Sequence, residues 1–153
     1  MEKLALFGGT PVRSDAFAPW PMFDARERKY LLEVLESRQW GGYPYPSPLS
    51  MAFARRFAEY HGVKYCLPAA NGTVTLEIAL HAAGLKAGDE VIVPALTFAA
   101  TAAGAIRQNG VPVFVDLEPR NYCMDPDAFE AAITSRTKAV IPVHLGASIA
   151  DMD

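Results

Sequence analysis

Cysteine is scarce in this chain. Two occur in 153 residues, Cys66 and Cys123, far apart and each in an apolar setting. That excludes a disulfide framework and a cysteine-built zinc site, and it fits a reducing cytoplasm. The three histidines, His61, His81 and His144, have no metal-ligand spacing, so no metal is expected. No run is long and apolar enough to span a membrane. The start, Met1-Glu2-Lys3-Leu4, lacks a basic region followed by a long apolar run, so no signal peptide is visible. Positive charge is not in excess either. A formal net charge of −3 and a pI of about 5.6 give no reason to expect nucleic acid or an anionic membrane as partner. Familiar motifs are also missing. Without Gly-x-Gly-x-x-Gly or a Walker-type loop there is no case for a dinucleotide site or a P-loop NTPase, and without Gly-x-Ser-x-Gly none for a hydrolase elbow. No acidic pair stands out as a glycosidase couple.

What is present is globular: 51% hydrophobic and 20% charged. Residues 1–23 hold turn formers rather than periodicity (Gly8-Gly9-Thr10-Pro11, then Pro19-Trp20-Pro21) and read as an extended arm. Residues 24–62 form a helical segment. Asp24 with Glu27 predicts a capping box opening a helix over 26–37, with Leu31, Leu32, Val34 and Leu35 as its apolar face. Ser47 and Pro48 predict the start of a second helix that Gly62 closes. Between them, Gln39-Trp40-Gly41-Gly42-Tyr43-Pro44-Tyr45-Pro46-Ser47-Pro48 is a stiff aromatic loop leading into that start, suited to a site rim or a subunit contact.

From residue 63 the chain alternates. Strands are predicted at 64–68, 90–94, 111–116 and 138–143, and helices at 73–83, 98–108 (begun by Thr97) and 126–133 (capped by Asp125). Apolar strands without alternation, separated by helices, make an α/β domain with a mostly parallel sheet flanked by helices. The chain stops at Asp153 just after a strand end, so the domain is expected to be truncated here. Ligands of open α/β sheets bind off the carboxyl ends of strands. Three such ends carry polar or aromatic groups: Asn71-Gly72-Thr73, Ala95-Leu96-Thr97-Phe98, and His144. Asn71 can cap the helix, Gly72 admits close approach, and the unpaired N–H groups of the first turn favour an anion or phosphate. An aromatic at the next turn suits a flat ring, and pyridoxal phosphate combines a phosphate with such a ring.

A run of motifs then carries a resemblance over nearly the whole chain. Asn71-Gly72-Thr73, Gly88-Asp89-Glu90-Val91-Ile92-Val93-Pro94, Thr97-Phe98, Pro112-Val113-Phe114-Val115-Asp116, Val143-His144-Leu145 and Ala150-Asp151-Met152-Asp153 occur in order and at consistent spacing. They resemble the N-terminal part of the DegT/StrS-type sugar aminotransferases, fold-type I enzymes dependent on pyridoxal 5'-phosphate. The opening Leu6-Phe7-Gly8-Gly9-Thr10-Pro11 looks most like the branch with scyllo-inosose aminotransferases and 3-amino-5-hydroxybenzoate synthase.

The resemblance implies amino transfer from glutamate or glutamine to a nucleotide-linked keto-sugar or a cyclitol ketone, by a homodimer. It places Gly72, Thr73 and the Val74 N–H at the cofactor phosphate, Phe98 on the pyridine ring and Thr101 nearby. Trp40, Tyr43, Tyr45 and His144 fall on the substrate side. One departure is Gly146-Ala147-Ser148 where the family usually has Tyr-Gly. The Schiff-base lysine is expected beyond Asp153, because Lys138 matches a surface lysine before a strand. The 153 residues alone therefore hold no catalytic residue and are expected to be inactive. Some relatives carry histidine in place of that lysine and are dehydratases, which leaves a sugar dehydratase, or a non-catalytic partner using only the dimer face, as alternatives.

Overall fold

The computed structural model describes residues 3–41 and 47–153, which divide into two compact units, Met1–Leu67 and Pro68–Asp153. The first holds a short 3-10 turn, Ala5–Phe7, and two helices, α1 (Ala25–Ser37) and α2 (Pro48–Tyr60). The capping box at α1 forms as predicted. The Asp24 carboxylate accepts from the Arg26 N–H, and the Glu27 carboxylate accepts from the Asp24 N–H. The Arg26 guanidinium also grips Asp24 and is the main reason its carboxyl lies below the usual range. Ser47 departs from expectation. It precedes α2 but makes no capping hydrogen bond, and it is buried. Left-handed Gly62 ends α2 as predicted.

The second unit alternates α3 (Gly72–Ala82), β1 (Glu90–Pro94), α4 (Ala100–Arg107), β2 (Val111–Val115), α5 (Pro126–Ala131) and β3 (Thr137–Val140). Among the described residues the three strands pair in parallel, in the order β2-β1-β3, and one isolated antiparallel bridge joins Leu117 to Met124. Every residue of β1 is buried, as a central strand covered on both faces must be. Val91 and Val93 point to one face, where they pack with Leu80, Leu85 and Ala105 from the α3 and α4 side. Ile92 points to the other and packs with Val115 and Met124, backed by Ala128 and Phe129 of α5. Each such side chain contributes about 1.5–3 kcal/mol on full burial. At Gly104 a Cβ would lie 3.2 Å from the Leu76 Cβ, so this glycine lets α3 and α4 close on each other, and the Arg107–Glu77 ion pair at 3.0 Å ties them. No helix among the described residues is long and apolar enough to cross a membrane.

Several predicted bounds need correction. The strand at 64–68 does not form: Tyr65 and Leu67 are exposed and the segment joins no ladder among the described residues. A strand needs a neighbour, and Pro68 also lacks a donor. The helix predicted from Phe98 begins at Ala100, with Ala99 at the N-cap. β3 stops at Val140, with one further ladder bond from the Ile141 N–H to the Ile92 carbonyl. β2 ends one residue earlier than predicted and α5 two.

Candidate functional site

The connections set which groups meet. The loop after α3 touches the loop after α4, with the Gly88 N–H donating to the Asn109 carbonyl at 2.9 Å. Both helices therefore end at the amino edge of β1, and both begin at its carboxyl edge. Because β3 runs parallel to β1, residues just past it reach the same edge. The three predicted strand ends (Asn71–Thr73, Ala95–Phe98 and His144) thus share one rim. Lys138 lies at the other end of the sheet, where a bulge between Glu90 and Val91 accommodates it. That position agrees with a surface role.

Asn71 is extended (φ −165°) and caps α3, its Oδ1 accepting from the Val74 N–H at 3.0 Å. The Thr75 hydroxyl donates to the Gly72 carbonyl at 2.7 Å, and its N–H to the Asn71 carbonyl. The N–H groups of Gly72 and Thr73 have no acceptor among the described residues, so the open donors narrow to these two, with the Val74 N–H already committed to the cap. They sit at the positive end of an 11-residue helix, where the dipole favours an anion. At the neighbouring turn the Phe98 ring is 78% exposed. Thr97, predicted as a helix cap, instead has its hydroxyl 2.8 Å from that of Thr101. Sequence reasoning missed this pairing. The signal available was two threonines spaced i, i+4 across the start of a helix.

His144 is exposed at the rim. Its Nδ1 accepts from the Ala150 N–H at 3.0 Å, which leaves the ring proton on Nε2 in the neutral form. Ala150 is almost fully buried, so the imidazole satisfies a backbone donor that water does not reach. In the other unit, the Trp40 indole N–H points back to the Leu35 carbonyl at 3.4 Å and its ring is mostly exposed. Tyr43 and Tyr45 lie outside the described residues.

A parallel sheet with an open helix N-terminus and an exposed aromatic on its carboxyl rim is an α/β domain of the kind that binds ligands at that rim. The DegT/DnrJ/EryC1/StrS aminotransferase family model matches residues 21–153, and the chain belongs to that family. It is 50% identical over 152 residues to a Streptoalloteichus tenebrarius protein provisionally named L-glutamine:3-amino-2,3-dideoxy-scyllo-inosose aminotransferase, covering 99% of this chain and 36% of that one. Among solved structures it is similar to 3-amino-5-hydroxybenzoic acid (AHBA) synthase, with 41% identity and a TM-score of 0.82 over 92% of this chain and 36% of that one. It is also similar to NtdA of Bacillus subtilis with bound cofactor PMP, with 33% identity and a TM-score of 0.73 over 89% of this chain and 32% of that one. The chain thus spans about a third of the length of these relatives.

Proposed function

We propose that the full-length protein is a pyridoxal 5'-phosphate-dependent aminotransferase that moves an amino group from glutamine or glutamate to a ketone on a cyclitol or a nucleotide-linked sugar. The observation that carries the reading is the shared rim of the Asn71-Gly72-Thr73 turn and the exposed Phe98 ring. Gly72 is the test of fit. Its φ is not left-handed, and a Cβ there would meet nothing within 4 Å. Neither the backbone nor the packing demands glycine, whereas a phosphate seated against the turn does. The Gly72 and Thr73 N–H groups and the Thr73 hydroxyl would donate to phosphate oxygens. The Val74 amide would form the back wall of the cradle while held by Asn71. Phe98 would stack on the pyridine ring and shield that face from water.

The bound cofactor supplies an electron sink that lets an amino group and a proton exchange at carbon. His144, its Nδ1 engaged by the Ala150 N–H, would offer the Nε2 side of its ring to an oxygen of a polyhydroxylated ketone. The aromatic loop, Trp40 with Tyr43 and Tyr45, is proposed to add substrate contacts in the assembled enzyme. A homodimer in the cytoplasm completes the reading. The scyllo-inosose in the name of the Streptoalloteichus relative favours a cyclitol ketone, and its donor favours glutamine. Mixing the full-length protein with pyridoxal phosphate should give a near-visible absorption band that borohydride fixes to the protein. Glutamine and a scyllo-inosose should then give an aminocyclitol detectable by mass spectrometry. Absence of the band would sink the proposal.

A further inference from the structure

We infer that Thr97 and Thr101 form a hydroxyl clamp that positions Phe98, so that Thr101 acts on cofactor binding through that ring and not by touching the cofactor. The inference rests on the reading of Phe98 as the ring-stacking residue. Thr101 is 5% exposed. Its Oγ1 lies 2.8 Å from the Thr97 Oγ1, and its N–H donates to the Phe98 carbonyl at 3.0 Å. One residue of α4 therefore grips the turn on both sides of the Phe98 Cα, through the side chain before it and the peptide after it.

Helix formation does not account for the side-chain bond. Thr97 stands where a helix cap was expected, yet Ala99 is the N-cap and makes no side-chain bond. Threonine within a helix commonly bonds back to the carbonyl three or four residues earlier. Thr101 bonds instead to the hydroxyl of Thr97, the residue in that position. Nor does packing fix Phe98, because its ring is 78% exposed. A core aromatic is held by its neighbours, whereas this one is mostly uncovered among the described residues and relies on its turn. A stiff turn carrying a free ring is what a stacking platform requires, since a ring already aligned loses little freedom when its partner arrives.

The test measures the dissociation constant of pyridoxamine 5'-phosphate, a probe that reads the cradle and the ring, by fluorescence titration of the full-length protein. Thr101→Val should raise that constant by about tenfold, from the lost bond and the hydroxyl left without its partner, and Thr101→Ser should restore it to within about twofold. In a Phe98→Leu background, Thr101→Val should add nothing. A contact made by Thr101 itself, or a general loosening of the fold, would instead add in full. Additivity overturns the clamp, as does a Thr101→Val protein that binds like wild type. Should Thr101→Val fail to fold, Thr97→Val, at a half-buried position, carries the same cycle. A wild type that does not bind the probe at all overturns the Phe98 reading and the clamp with it. A wild type that binds, with Thr101→Val equal to it, overturns the clamp alone.

Discussion

In Pro68–Asp153 the middle strand is buried along its whole length, whereas in Met1–Leu67 the helices keep most of their apolar faces exposed. Val91, Ile92 and Val93 are fully buried, but Leu31 of α1 is 71% exposed, and Leu32, Leu35 and Phe53 are exposed as well. In α2 only the small residues Ala54 and Ala58 are buried. The difference follows from where the backbone bonds go. A helix satisfies its own N–H and C=O groups, so α1 can form on its capping box while its apolar stripe waits for a partner. β1 exists only because β2 and β3 supply its ladder, and pairing brings the covering helices with it. Exposed apolar side chains of this kind are what the homodimer proposed above would cover.

The strongest way to break that contrast is to replace one residue on each side of it. Ile92→Ala should cost about 2–5 kcal/mol by urea denaturation, at every protein concentration, because the cavity lies inside a packed strand. Leu31→Glu should leave the helical signal intact and shift sedimentation of the full-length protein toward monomer. If it unfolds the protein at all concentrations, as Ile92→Ala does, the face of α1 belongs to a core and the contrast is lost.

The helix starts were legible from local signals, Asp24 with Glu27, Asn71 before Gly72 and Asp125 before Pro126, and the alternation from short apolar runs too hydrophobic for one-sided strands. β1 was read to the residue, since Glu90 and Pro94 bound a run that is buried on both faces. The strand at 64–68 was misread for a physical reason: β-prone residues state a preference for an extended chain, but only a neighbour makes a strand. The rim itself was legible from topology, because parallel strands put their carboxyl ends together. The hydroxyl pair of Thr97 and Thr101 was not, because a threonine before a helix reads as a cap until the helix start is known to the residue.

A second contrast, between the two ends of the sheet, has a smaller effect. At the amino end the buried Glu90 carboxylate is closed off by the Thr134 hydroxyl and by Arg136, whose Nε donates to it at 2.9 Å. At the carboxyl end the donors stay open. The Thr134 bond first, and Arg136 next, hold the Glu90 carboxyl below the usual range. A carboxyl lowered in the folded state adds stability that is fully present above its unfolded pKa and is lost as pH falls through the folded value. Glu90→Gln should therefore lower the melting temperature by a few degrees at neutral pH and flatten its decline on the acid side. An acid limb of unchanged steepness would assign the acid sensitivity elsewhere, with Asp24 the next group to test.

The smallest effect on stability belongs to the open end, and there smallness is the point. Asn71 and Gly72 are adjacent, but one serves the helix and the other faces empty space. Asn71→Ala removes the bond to the Val74 N–H and should cost about 1 kcal/mol, the usual worth of such a cap. Gly72→Val puts its side chain where a Cβ meets nothing within 4 Å, on a backbone that needs no glycine. Its stability should stay within about 0.5 kcal/mol of wild type. Its affinity for pyridoxamine 5'-phosphate should nonetheless drop by about tenfold or more, because the added methyls would fill the space proposed for the phosphate and keep it from the two open N–H groups. A Gly72→Val protein that keeps both its melting temperature and its affinity would mean that the open turn is only a helix start, and that the phosphate seat must be sought elsewhere on the rim.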